Sequence, residues 1–66
     1  MSEIGEVIKI CRKTRAISVK ELATELNVSE HCVRLWEQGK RTPKPDNIKK
    51  MAKIFKIKVE ELTQYL

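Results

Sequence analysis

The stretch Ser18–Gln38, SVKELATELNVSEHCVRLWEQ, decides how this chain folds. The hydroxyl of Ser18 can accept from a free amide of a first helical turn, and Glu21, three residues on, can reach back to the Ser18 amide, which makes a capping box. Val19, Leu22, Ala23 and Leu26 follow at i, i+3, i+4 and i+7, one apolar stripe on a helix of about two and a half turns. Lys20, Thr24 and Glu25 are left for solvent. Asn27 interrupts the pattern, and asparagine is the non-glycine residue that best tolerates the left-handed conformation ending many helices. Val28 turns inward, Ser29 caps a second helix, and Glu30 lies at the positive end of its dipole. In that second helix, about 29–38, Cys32, Val33 and Trp36 face the first helix, while Glu30, His31, Arg34 and Gln38 form a contiguous polar face on the other side. Ala23 sits small and central where two steeply crossing helices need room, with Val33 packed across from it. The stretch therefore reads as two short helices at an angle, joined by a tight turn.

The spacing of Glu21-Leu22-Ala23, Asn27-Val28-Ser29, Val33 and Trp36-Glu37-Gln38-Gly39 resembles the helix-turn-helix of Cro/C1-type phage repressors and their bacterial xenobiotic-response-element relatives. The likeness runs from Ile4 to Leu62. It implies an all-α, lambda-repressor-like bundle of five short helices forming a single domain over 1–66. It also implies a small transcriptional regulator, a repressor, that binds double-stranded DNA by inserting the second helix of the motif into the major groove. By position, Ser29, Glu30, His31 and Leu35 match the family's groove-facing places, with Arg34 and Gln38 alongside. Glu30 has the chemistry to accept from a cytosine amino group, His31 to donate to guanine, and Leu35 to touch a thymine methyl. Glu30 and Arg34, at i and i+4, can instead pair with each other and direct Arg34 to a phosphate, and the residues leave both uses open. In the same family an arginine at the place of Arg12 ties the first helix to a glutamate at the place of Glu37. These two are assigned to architecture, with Ala23, Asn27, Val33, Trp36 and Gly39, since a guanidinium fork binds a carboxylate through two bonds. Two positions depart from the family pattern. Ala16 stands where glycine is usual, and alanine is strained at positive φ. Val19 stands where glutamine often reaches a phosphate, so that contact is missing or passes to Lys20.

The chain of 66 residues carries a net charge of +5, and residues 34–58 hold nine Lys or Arg against only Glu37 and Asp46. A folded chain of this size buries ~60% of its unfolded surface, too little for a deep substrate cleft. The basic excess suits a polyanion; a solvated surface is the plain alternative, and the helix pair favours duplex DNA. Three aromatics, Trp36, Phe55 and Tyr65, are too few for stacking to dominate binding. No apolar run spans a bilayer and no leader pattern is present, so a cytoplasmic, nucleoid-associated place in a bacterium, whether host- or phage-encoded, is expected. Cys11 and Cys32 lie at apolar helical positions and read as two reduced thiols. No catalytic constellation assembles: His31 is the only histidine, and its neighbour Cys32 points about 100° away on a helix. A metal site from Cys11, His31 and Cys32 lacks a fourth ligand. No enzyme activity, cofactor, metal or small-molecule substrate is expected.

The rest of the chain is read around the motif. Ser2 can cap a first helix in which Ile4, Ile8 and Cys11 form the inner stripe. Val7 and Ile10 lie off it, as the flank of a small core or as a subunit contact. Lys13 to Ile17 form the first connection. Gly39 supplies a left-handed stop after the second motif helix. Lys40, Arg41, Thr42, Pro43, Lys44 and Pro45 form a stiff basic loop whose Lys40, Arg41 and Lys44 suit phosphate clamps. Pro45 can open a fourth helix with Asp46 in its first turn; there Ile48, Met51, Ala52 and Phe55 face in and Lys49, Lys50, Lys53 and Lys56 face out. A last helix, about Val59 to Tyr65, sets Leu62 on the core. Two copies on half-sites one turn apart would give useful affinity, either through a weak homodimer or through assembly by the DNA. The alternative use of the fold is a protein-interaction module or an antitoxin, binding a partner through Val7, Ile10 and the C-terminal helix.

Overall fold

The computed structural model describes residues 3–66, and these form five α-helices: α1 Glu3–Thr14, α2 Val19–Leu26, α3 Glu30–Glu37, α4 Pro45–Phe55 and α5 Glu60–Thr63. The Ser2 cap expected for α1 lies outside the described residues. At the start of α2 the capping box is complete: the Glu21 amide donates to Ser18 Oγ at 3.0 Å and the Ser18 amide to Glu21 Oε1 at 2.9 Å. The Ser18 amide, which donates to the Glu21 carboxylate, and secondarily the nearby Ser18 hydroxyl hold that carboxyl below its ordinary range. Ser29 caps α3 through its Oγ, which accepts from the Cys32 amide at 3.1 Å. Pro45 occupies the first turn of α4, where its missing N–H costs nothing.

Helices α1 to α4 end alike. In each, one residue turns left-handed and the following amide donates back five residues: Ile17 to Arg12, Val28 to Ala23, Lys40 to Leu35 and Ile57 to Ala52, at 2.9–3.0 Å. The left-handed residues are Ala16, Asn27, Gly39 and Lys56, with φ of 55°, 56°, 76° and 57°. This satisfies the last carbonyls of each helix, and it is strained wherever the residue carries a Cβ, least so at asparagine. The expectation for Lys56, an outward helical lysine, is corrected accordingly: it is exposed, but it ends α4 instead of continuing it.

The core is apolar throughout, with Trp36 and Phe55 its largest members and Ile4, Ile8, Leu22, Leu26, Val33, Met51 and Leu62 packed around them. No polar or charged side chain is buried among the described residues. Helix α3 packs on both α2 and α1, while α5 closes on α1 and α4. The closing helix is shorter than the pattern predicts, running Glu60–Thr63. Its start is held by the Lys58 amide donating to Glu61 Oε2 at 2.8 Å. Cys11 and Cys32 are free thiols at the edge of the core, half-buried and not enclosed. Burial pushes the Cys11 thiol up, nearby Glu61 adds to this, and Arg15 opposes both. No helix of the described residues is long and apolar enough to cross a membrane.

Candidate nucleic-acid interface

Two contacts on its C-terminal half set the position of α3. Gly5, buried in the first turns of α1, lies directly beneath the carbonyl groups of Trp36 and Glu37, where a β-carbon would collide with the Trp36 oxygen. Glycine is the residue that permits such close backbone approach. One face further along α1, Arg12 Nε donates to Glu37 Oε2 at 2.7 Å and its NH2 donates to Glu37 Oε1 at 3.2 Å. A third donor, Arg12 NH1, reaches the Ile17 carbonyl at 3.0 Å, so one guanidinium ties α1, the α1–α2 turn and the end of α3 together.

With Val33 and Trp36 buried on the inner side, α3 turns its other side outward. His31, Arg34 and Gln38 are exposed, Glu30 and Leu35 are half-buried, and Ser29 stands exposed at the capped end. Arg34 NH2 donates to Glu30 Oε1 at 3.4 Å, an exposed i,i+4 pair. Helix α3 thus presents a polar ridge about two turns long, with one charge of each sign close together.

Exposed cations lie on the elements before and after α3 in the chain. Lys20 is exposed on the first turn of α2, and Lys40, Arg41 and Lys44 are exposed on the α3–α4 loop. Arg41 and Lys44 come together on the rim of a recess of about 190 Å³ lined also by Val28, Cys32, Trp36, Thr42 and Asn47. Lys20 and Lys40 are not among its lining residues. Pro43 is buried between the loop cations, so the loop is pinned to the body of the protein as well as being stiff. That anchoring, the place of Thr42 and Asn47 beside the recess, and the role of Gly5 are not legible in the sequence pattern; a glycine inside a helical run is the one signal that points to Gly5. Among the described residues no group of three or more His, Cys, Asp or Glu side chains is placed to hold a metal.

A short helix capped by serine, packed on a second helix across a short turn and presenting an outward polar ridge, defines a helix-turn-helix domain. The sequence profile of the helix-turn-helix family matches residues 8–62, and the chain belongs to that family. Its five-helix, all-α arrangement is of the lambda-repressor-like kind. Among curated proteins it is similar to the HTH-type transcriptional repressor RghR of Bacillus subtilis (strain 168), 41% identical over 63 residues covering 94% of this chain and 47% of that one. It is similar also to the uncharacterized HTH-type transcriptional regulator RghRB of the same organism, 38% identical over 63 residues, 94% of this chain and 45% of the relative. The HTH-type transcriptional activator BcrR of Enterococcus faecalis is 30% identical over 60 residues, 91% of this chain and 29% of the relative. The chain thus spans less than half the length of each of these relatives. No solved structure matches it.

Proposed function

We propose that this chain binds double-stranded DNA by placing α3 in the major groove, and that it serves as a small transcriptional regulator, acting as a repressor by occupying an operator. The observation that carries this reading is the outer side of α3, exposed at His31, Arg34 and Gln38, together with the exposed Lys20 of α2 and the exposed Lys40, Arg41 and Lys44 of the loop that follows α3. A helix of about 10–12 Å diameter fits the major groove, of about 12 Å width, and cations of the neighbouring elements hold its register on the phosphates. Ser29, Glu30, His31, Arg34, Leu35 and Gln38 are then the base-facing residues. The relatives whose names call them regulator, repressor and activator support a role in transcription, and RghR supports repression. Such a protein works on the genome, in the cytoplasm of a bacterium.

One domain of this size covers few base pairs, so two copies occupy half-sites one helical turn apart. Ile10 and Leu66, 61% and 62% exposed, and the adjoining Tyr65 favour weak pairing of copies, or contact with another protein, as a second use of the fold. Selection of bound duplexes from a random pool tests the reading: an enriched sequence with two related halves is expected. A pool that yields no enriched sequence rejects it and leaves the partner-binding use.

A further inference from the structure

The outer side of α3 is nearly neutral, while α2 and the loop after α3 carry exposed cations. Among the described residues only two ion pairs form, Arg12 with Glu37 and Arg34 with Glu30. Lys20, Lys40, Arg41 and Lys44 are therefore uncompensated, whereas the one cation in the middle of the ridge is matched by a carboxylate one turn before it. Arg34 and Glu30 are 55% and 43% exposed, and a pair that open to water contributes little to helix stability. Its effect should appear only when a groove closes over it and removes the screening water.

We infer that Glu30 is a positioning residue that determines specificity: its carboxylate holds the Arg34 fork toward O6 and N7 of a guanine, and its charge weakens the grip of α3 on duplexes lacking that guanine. This inference rests on the duplex-reading function proposed above. An unheld arginine in a groove is drawn to the nearest phosphate, which is the same in every sequence. Glu30 competes with that phosphate. It engages only NH2 of Arg34, and the guanidinium keeps more donors than the two that a guanine edge needs. On a duplex without guanine at that place the carboxylate stays close to the negative groove with its partner poorly engaged, and repulsion counts against binding. Affinity then comes from the cations of the neighbouring elements and discrimination from the ridge.

The test compares the wild type with Glu30→Gln and Arg34→Lys, using selection from a random duplex pool, affinity for a fixed random duplex, and far-UV dichroism to check the fold. The wild type should enrich a G·C pair at one position in each half-site. Glu30→Gln should bind the random duplex about threefold to tenfold tighter, as expected for removing one charge close to the phosphates. It should also lose preference at that G·C position alone. Arg34→Lys, which keeps the charge without the fork, should relax the same position. If the two variants relax different positions, Glu30 reads a base of its own and the inference is overturned. It is overturned too if Glu30→Gln alters neither quantity, or weakens binding to the random duplex. A wild type that selects a site under those outcomes leaves the proposed function standing; a wild type that binds no duplex overturns both.

Discussion

Arg12 and Glu37, 25 residues apart in the chain, meet through two hydrogen bonds with only 12% and 10% of their side chains exposed. The pair joins the last turn of α1 to the last residue of α3, so the angle of the outward ridge depends on it. Glu37→Gln leaves the guanidinium half-enclosed and short of its counter-charge. A drop of about 3 kcal/mol in stability is expected, the scale for breaking an enclosed ion pair from one side. In a domain this small that lowers the melting temperature by more than about 10 °C. A thermal melt within a degree or two of wild type would remove the pair from the architecture.

Gly5→Ala sets two effects against each other. Alanine favours the helix by about 1 kcal/mol over glycine. The added methyl, however, collides with the Trp36 carbonyl oxygen, a backbone atom that cannot step aside without moving α3. Overpacking of this kind costs about 1–3 kcal/mol or more, and here the collision outweighs the propensity gain. Urea denaturation should give a lower midpoint for the variant. A higher midpoint would mean that the backbones of α1 and α3 do not touch.

Ala16 and Lys56 should move the other way when changed to glycine. Each holds a left-handed conformation, with φ of 55° and 57°. Relief of about 1–2 kcal/mol of Cβ strain is offset by about 0.5–1 kcal/mol of extra chain entropy in the unfolded state. A net gain of about 0.5–1 kcal/mol is expected at each site, and the gains should add because the two sites belong to different helix ends. Melting of the single and double variants checks this, and a destabilised Ala16→Gly would contradict the backbone conformation at that turn.

The α2 cap predicts a pH dependence. Glu21 is held below its ordinary value of 4.5, so its contribution is present above that pH and is lost as pH falls through the lowered value. The stability advantage of wild type over Glu21→Gln should be visible at pH 7 and shrink toward pH 3 in parallel melts. An advantage that stays constant across that range would show that the Ser18 bonds do not depend on the charge.

For the proposed DNA binding, the loop cations should act through salt alone. Replacing Lys40, Arg41 and Lys44 with glutamine should flatten the dependence of log affinity on log salt by about 0.9 for each phosphate that is no longer neutralised, without changing which sequence is selected. Fluorescence anisotropy on a fixed duplex at several salt concentrations measures it. An unchanged slope would mean that other cations hold the phosphates.

What the sequence determined by itself is the part of the fold whose causes lie within a few residues. The Ser18–Glu21 box, the left-handed Asn27, the Ser29 cap, the Pro45 start and the apolar stripes of α2, α3 and α4 all follow from short-range bonds and helical periodicity. The outward side of α3 was legible too, since it is what remains when Val33 and Trp36 face inward. Tertiary structure alone decided the rest. Gly5 against the Trp36 carbonyl, Pro43 buried as the anchor of a basic loop, and the recess gathering Arg41, Lys44, Thr42 and Asn47 depend on segments far apart in the chain. Ala16 and Lys56 go left-handed against their own preference because the carbonyls ending α1 and α4 need partners, while Ile17 and Ile57 pack against the core. Local preference at one residue is worth about a kilocalorie, and burying the apolar side chain that follows it outweighs that.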